Sequence, residues 1–367
     1  MNVCFFGNDF RMGGANAVAV SLANELSERF NVFLVATNDN EETAWGRDHV
    51  SDRVRYHNFG MKKERILKMR RKTIPLMKRF IRENEIDVVF AIGYYPAFYI
   101  TSLFGLGKRC KLVYCEHESP ASMLSDRKAT MMRVFASRAF DKTVALTRST
   151  EDTFVRTLGA SPKKVTTIYN WIDDAIIDEG AVYDRESKKI LTVGRISAEK
   201  GFDMLADIAR DLFSRVPDWE WHIMGDGPDR DAFEEKIREY GIEKNIVMHG
   251  AVPDASRYYG EYAVMALTSY REGLPLTLLE AKAKKLPCVS FDVVTGPSEI
   301  IRDGVNGYLV PMYDKVMFAD RLCELIEHTE TRQSFSDNAF IDIDKFKKAK
   351  ILDDWLSLIE SFAPENK

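Results

Sequence analysis

Apolar and polar positions alternate along this chain in blocks of two kinds. Short, mostly apolar runs at Val3–Phe6, Val32–Ala36, Val88–Ile92, Lys111–Cys115 and Lys142–Leu146 are interleaved with stretches whose apolar residues recur at helical spacing, among them Ala15–Phe30 and Pro75–Asn84. Brief continuous apolar runs separated by helices read as strands buried on both faces, which is the βαβ rhythm of parallel sheets. The rhythm stops over Asn170–Ser187, a polar and acidic stretch, and restarts at Lys189–Val193. It then repeats through Trp219–Met224, Ile246–His249, Tyr262–Leu267 and Cys288–Phe291. The pattern predicts an α/β chain of two Rossmann-like domains, roughly residues 1–172 and 188–340, and a further helix around Asp353–Ser361. Two such domains joined by one linker make a cleft, which is where a small ligand is expected.

Composition agrees with that size. The chain has 367 residues, 45% hydrophobic and 29% charged, ample for two cores. Its five cysteines, Cys4, Cys110, Cys115, Cys288 and Cys323, are scattered and lie mostly in strand-like runs. That argues against a disulfide framework or a zinc site and for a reducing, cytoplasmic location. No leader pattern opens the sequence and no 18-residue apolar run is present, so a soluble or peripheral protein is expected. The net charge of −4 hides an asymmetry: residues 1–170 carry 27 Lys and Arg against 18 Asp and Glu, leaving 25 against 38 for the rest. The basic excess peaks over residues 61–82, where ten basic side chains face the single acid Glu64. Apolar Ile66, Met69, Met77 and Phe80 there fall near helical spacing, so two short helices broken at Pro75 are expected, with a basic face turned toward an anionic membrane.

Two segments carry candidate chemistry. Glu272-Gly273-Leu274-Pro275-Leu276-Thr277-Leu278-Leu279-Glu280 follows a predicted strand and places one carboxylate in a loop and a second two turns into a helix, about 10 to 12 Å apart at 1.5 Å per residue. Between them a helix start offers free backbone N–H groups to a phosphate, a layout that suits a sugar, a diphosphate and a ribose in sequence. Val193-Gly194-Arg195-Ile196-Ser197-Ala198-Glu199-Lys200-Gly201 ends another strand. There the small Gly194 lets backbone approach a ligand, and Arg195 and Lys200 are placed to clamp a diphosphate and stabilise its departure. The spacing is not that of a Walker A loop. Gly13 and Gly14 open a helix after the first strand without the GxGxxG of a nicotinamide site. Asp342-Ile343-Asp344 reads as a solvated helix edge, so no metal and no other cofactor is expected, and no nucleic-acid partner.

Taken together, Gly13-Gly14, Arg195 with Lys200, Gly225-Asp226-Gly227-Pro228 and the paired Glu272 and Glu280 resemble glycosyltransferase family 4 over essentially the whole chain. The resemblance implies the GT-B architecture, parallel sheets facing across a cleft, with the second domain holding a nucleotide-sugar donor and residues 341–367 crossing back to an acceptor-binding first domain. It implies that Arg195 and Lys200 hold the donor diphosphate, Glu272 the sugar hydroxyls and Glu280 the ribose, and that Asp226 and Gly227 line the donor site. His117, between Glu116 and Glu118, matches the histidine placed beside the reacting sugar, and Gly13-Gly14 the loop over the phosphate. Pro275 departs from many relatives by removing an amide donor, which leaves Leu276 and Thr277 as candidates to cradle the phosphate.

Thr295-Gly296-Pro297-Ser298-Glu299-Ile300-Ile301 and Gly304-Val305-Asn306-Gly307 are similar to branches that build capsule, exopolysaccharide and lipopolysaccharide from uridine diphosphate sugars. The expected activity is metal-independent, configuration-retaining transfer of a hexose or N-acetylhexosamine to a saccharide or lipid-linked acceptor. The rivals are a sugar-nucleotide epimerase or phosphorylase of the same fold, and a non-catalytic partner subunit.

Overall fold

The computed structural model describes residues 1–11, 13–38, 45–106, 110–177, 181 and 183–363. The chain divides into two compact units. The first is Met1–Asn170 together with the returning residues from Leu352, and the second is Trp171–Ile351. The second unit therefore begins earlier than residue 188. Within the polar stretch expected to link the domains, Ile172 bridges to Lys347 and Asp184 N–H donates to Gly260 O at 2.8 Å. Residues 178–180 and 182 of that stretch, like 364–367 at the far end, lie outside the described residues.

The first unit is built on β1 (Asn2–Gly7), β2 (Asn31–Ala36), β3 (Val54–Asn58), β4 (Val88–Ile92), β5 (Lys111–Glu116), β6 (Lys142–Ala145) and β7 (Val165–Thr167). The second is built on β8 (Lys189–Val193), β9 (Glu220–Met224), β10 (Ile246–Gly250), β11 (Val264–Leu267), β12 (Cys288–Asp292) and β13 (Tyr308–Pro311). Every strand pair is parallel, in the orders β3-β2-β1-β4-β5-β6-β7 and β10-β9-β8-β11-β12-β13. Both sheets run outward from their first strand, return, and continue on its other side. The strand C-termini beside β1/β4 and beside β8/β11 are thus switch points, where successive crossovers leave in opposite directions and open a crevice.

Strand periodicity sorts the first sheet's faces. Cys4, Phe6, Phe33, Val35, Val89, Leu112 and Tyr114 face one core shared with the helices Ile66–Glu83, Tyr94–Ile100 and Arg127–Ala139. On the other face Phe90 meets Trp355 of the last helix, Lys348–Glu360, edge to face at 5.4 Å. The helix around Pro75 is one continuous element, Ile66–Glu83, where two short helices were expected. Met69 and Thr73 before the proline and Met77, Phe80 and Ile81 after it are all buried. Burial of one stripe on both sides outweighs the single backbone bond the proline removes, and Pro75 itself is exposed.

Backbone packing ties the second sheet's loops together. A Cβ on Gly225 would lie 1.8 Å from Gly194 O, and one on Gly227 2.2 Å from Ile196 O. No rotamer change relieves a clash with backbone. Gly225→Ala is expected to destabilise the second unit by at least about 2 kcal/mol, on the order of 4–8 °C in Tm for a unit of this size. Calorimetry checks this, and an unchanged melting transition contradicts it.

Candidate active site

The second unit's switch point is assembled from the loops that follow β8 and β11. After β8 the chain passes Gly194, Arg195 and a turn of 3-10 helix, Ala198–Lys200, then enters the helix Phe202–Arg215 through Gly201. Gly201 is left-handed, φ +66°, and a Cβ there would stand 2.1 Å from Thr268 O. Both requirements select glycine. Thr268 Oγ1 donates to Lys200 O at 3.2 Å and Tyr270 N–H to Glu199 O at 2.9 Å, so the two loops are fastened by one side-chain and one main-chain hydrogen bond.

That fastening brings together two residues 72 positions apart: Lys200 Nζ lies 2.7 Å from Glu272 Oε1. Ser269 Oγ donates to the same oxygen at 2.6 Å. Glu272 is buried while Lys200 is partly open to solvent. The Glu272 main chain is held as well, because Thr295 Oγ1 donates to its carbonyl, and Gly296 at φ +101° packs so closely that a Cβ would come within 2.7 Å of Gly273 O. With Oε1 saturated, Oε2 is the oxygen left to accept from a ligand hydroxyl.

Arg195 is exposed and has no charged partner among the described residues. Its loop is stitched to the Gly-Asp-Gly-Pro loop: Gly194 N–H donates to Met224 O at 3.1 Å, Ile196 N–H to Asp226 O at 3.0 Å and Asp229 N–H to Ile196 O at 3.2 Å. Asp226 and Gly227, expected to line the donor site, thus have a local structural role, with Gly227 N–H donating to Asp226 Oδ1 at 2.8 Å. A Cβ on Gly194 would meet nothing within 4 Å, so the backbone there is open to approach.

The helix Leu276–Ala283 starts at Pro275, which occupies the N-cap at φ −70°, ψ 111°. Leu278 and Leu279 N–H both reach Pro275 O, at 3.2 and 3.3 Å, leaving the amides of Leu276 and Thr277 without an acceptor among the described residues. Glu280 is the fifth residue of this helix, little more than one turn in rather than two. Tyr259 O–H donates to its Oε2 at 2.8 Å, and burial holds its carboxyl above the usual range.

In the first unit, Gly14 begins the helix Gly14–Leu26 with Gly13 as its cap, and neither has anything within 4 Å of a would-be Cβ. Residue 12 lies outside the described residues. His117 follows β5 on the same sheet edge as the end of β1. Its ring is only half-buried, but Nδ1 is covered and has no hydrogen-bond partner among the described residues. Burial pushes its pKa down to about 4, with Glu116 pulling the other way, so the imidazole is neutral at pH 7.

The residue that fixes this loop is Arg133, on the helix Arg127–Ala139. Its Nε lies 2.6 Å from Glu116 Oε2 and its Nη2 3.1 Å from Glu118 Oε2, with the guanidinium 4.2 Å from the Tyr94 ring centroid. Tyr114 O–H also donates to Glu116 Oε2, and Glu118 N–H to Oε1 at 3.0 Å. Both carboxylates flanking His117 are thereby held from one buried cation. Sequence reasoning passed over Arg133, although its spacing from Ala129, Met132 and Ala136 marks it as a charge on a buried helix face. Ser269 and Tyr259 were passed over as well, and Thr295 stood only within its motif; the partners of Tyr259 and Thr295 become visible only once their segments meet.

Two parallel sheets of this order, each with its ligand-type loops at the switch point, define the GT-B class of glycosyltransferases. The profile described as Glycosyltransferase Family 4 matches residues 12–176, and that described as Glycosyl transferases group 1 matches residues 174–341. The chain belongs to glycosyltransferase family 4. It is 28% identical over 353 residues to the "Amylovoran biosynthesis glycosyltransferase AmsD" of Erwinia amylovora, covering 95% of this chain and 96% of that one. Its fold matches the apo lipopolysaccharide outer core galactosyltransferase WaaB with a TM-score of 0.79, at 21% identity, over 99% of this chain and 100% of that one. It also matches Anabaena HepE in complex with UDP and glucose with a TM-score of 0.83, at 18% identity, over 98% and 100%.

Two outcomes test the first unit's loop. Arg133→Ala leaves the Glu116 carboxylate buried without its cation and is expected to cost about 3–5 kcal/mol in denaturant unfolding; a loss under about 1 kcal/mol contradicts the assignment. For His117 the folded pKa lies below the unfolded value of about 6.5. The neutral form's contribution is therefore intact above that value and is lost as pH falls toward 4. Its imidazole resonances should show no titration between pH 5.5 and 8, and a midpoint near 6.5 overturns the buried assignment.

Proposed function

We propose that the protein transfers a hexose or N-acetylhexosamine from a uridine diphosphate sugar to a saccharide or lipid-linked acceptor, with retention at the anomeric carbon and no metal cofactor, in bacterial surface polysaccharide synthesis. The observation that carries the reading is the Lys200–Glu272 pair at the switch point of the second sheet, flanked by exposed Arg195 and the two free amides of Leu276 and Thr277. A diphosphate needs concentrated positive charge and N–H donors, and a sugar needs a fixed acceptor for its hydroxyls. The names of the relatives support the polymer class, and the UDP and glucose bound to HepE support the donor.

The chemistry follows from those positions. As the bond from the anomeric carbon to the diphosphate oxygen lengthens, negative charge grows on the leaving group, where Arg195, Lys200 and the two amides stabilise it. Glu272 Oε2 orients a sugar hydroxyl, and Glu280, with one oxygen on Tyr259, receives the ribose. Neutral His117 hydrogen-bonds the transferred sugar or the acceptor. The departing phosphate oxygen takes the acceptor's proton on the same face, so the new bond forms where the old one broke and configuration is retained without a protein base. The basic segment 61–82 keeps the enzyme at the anionic cytoplasmic face of a membrane, where a lipid-linked acceptor resides.

The test is turnover of a panel of UDP-hexoses and UDP-N-acetylhexosamines with NMR of the product anomer. Retained configuration and full activity in excess EDTA are expected. Inversion, or loss in EDTA with rescue by Mn²⁺, overturns the mechanism, and interconversion or phosphorolysis of the sugar without transfer favours an epimerase or phosphorylase. Glu272→Ala should lower kcat far more than stability, and Arg195→Ala and Lys200→Ala should each cost about 2–4 kcal/mol in transition-state stabilisation. Wild-type kcat in Glu272→Ala, or wild-type UDP affinity in both cation variants, places the donor site elsewhere.

A further inference from the structure

We infer that the outer surface of the helices Ile66–Glu83 and Arg127–Ala139 is an insertion face that anchors the first unit in an anionic bilayer by apolar side chains as well as by charge. The inference rests on the membrane-surface reading above and adds to it an anchor that charge counting did not reveal.

The basic helix carries less free charge than its composition implies. Lys68 and Lys72 both pair with Glu64, at 2.9 and 3.0 Å, and Arg79 pairs with Glu83 at 2.7 Å. Arg70 is turned inward, donating to Thr101 Oγ1 at 3.1 Å and to Ser102, with its guanidinium 5.2 Å from the Phe98 ring centroid. That inward turn is itself informative, because Phe98 is in turn 6.5 Å from Phe135 on the neighbouring helix. The chain of contacts Arg70–Phe98–Phe135 and a shared core place the two helices in one layer on one face of the sheet, so their outer stripes belong to one surface.

That surface exposes large apolar side chains where a monomer in water gains nothing from them. Phe135 is 55% exposed, Met131 47% and Leu67 67%. Met131 and Phe135 are one helical turn apart, and Arg127 and Arg138 stand on the same stripe before and after them, both exposed. On the other helix Leu67 and Arg71 stand one turn apart, both exposed. Bulky apolar residues bracketed by long cations match a bilayer's own layering, with acyl chains below and anionic headgroups around. The first unit's excess of basic residues complements that occupant, whereas a second copy would bring like charge against like.

The two contributions separate by salt, because headgroup attraction is screened and apolar burial is not. The full chain is to be sedimented with vesicles of phosphatidylglycerol and phosphatidylcholine, and with phosphatidylcholine alone, at low and high salt. Wild type should bind the anionic vesicles and keep a salt-resistant fraction. Met131→Ser/Phe135→Ser should bind about tenfold or more weakly and lose that fraction, while Lys63→Gln/Arg71→Gln/Lys78→Gln should lose preference for anionic lipid.

Wild-type binding by the serine variant at both salts, with loss in the glutamine variant, overturns the insertion face and leaves the basic surface standing. Wild-type binding by both variants overturns both readings. A wild-type dimer by light scattering that the serine variant dissociates makes the surface a self-interface and also overturns the inference. Should the serine variant fail to fold, Phe135→Trp gives an independent readout: its emission, less that of wild type, should shift blue and be quenched by brominated acyl chains. An unshifted, unquenched signal overturns the anchor.

Discussion

The contact on which the second unit's chemistry depends is one of main chain against main chain. The loops after β8, β9 and β11 approach until there is no room for a Cβ at Gly201, Gly225 or Gly227, and the loop after β12 closes on Glu272 with the same absence of room at Gly296. Everything polar at the site follows from that closeness. Lys200 and Glu272 meet because Thr268 and Gly201 touch, and Arg195 is held forward because its neighbours are bonded to Met224 and Asp226. A buried carboxylate shared by an ammonium and a hydroxyl is stable only when its surroundings cannot relax. The glycines supply that rigidity by excluding alternatives rather than by adding contacts.

The first unit solves a related problem with a side chain. Arg133 reaches both carboxylates that flank His117, while Tyr94 covers the guanidinium and Tyr114 completes the Glu116 shell. The arrangement keeps two negative charges beside an imidazole without charging it, since burial of the ring outweighs the pull of Glu116. One unit thus holds its candidate residue through backbone geometry and the other through a buried ion pair.

Central strands were legible in the sequence, whereas of the four edge strands only Ile246–Gly250 was. Val88–Ile92 is a continuous apolar run and Lys189–Val193 a mostly apolar one because each is a central strand with a buried interior, and their observed ends coincide with the pattern. Val54–Asn58 and Val165–Thr167 escaped notice because an edge strand has one wet side and tolerates Arg55, His57 and Asn58, while Tyr308–Pro311 ends in a proline that an edge permits. At the site, the residues that announce themselves are those in short motifs, Arg195, Lys200, Glu272 and Glu280. Ser269 supports Glu272 from only three residues away, but Thr295, Tyr259 and Arg133 lie farther off in sequence and acquire meaning only once their segments meet. The expected break at Pro75 failed for the opposite reason, since a local rule yielded to burial along a whole stripe of one continuous helix.

The first sheet draws on both extremes of the chain. Trp355, on the last helix, lies against Phe90 in β4, and Ile359 beside it is fully buried. During synthesis the strands β1 to β7 emerge long before that helix exists, so the part of this face that Trp355 covers stays wet while the entire second unit is being made. A nascent chain in this condition presents an apolar surface to chaperones for the time needed to translate about half its length. Its first unit is the earliest to begin folding and the last to finish.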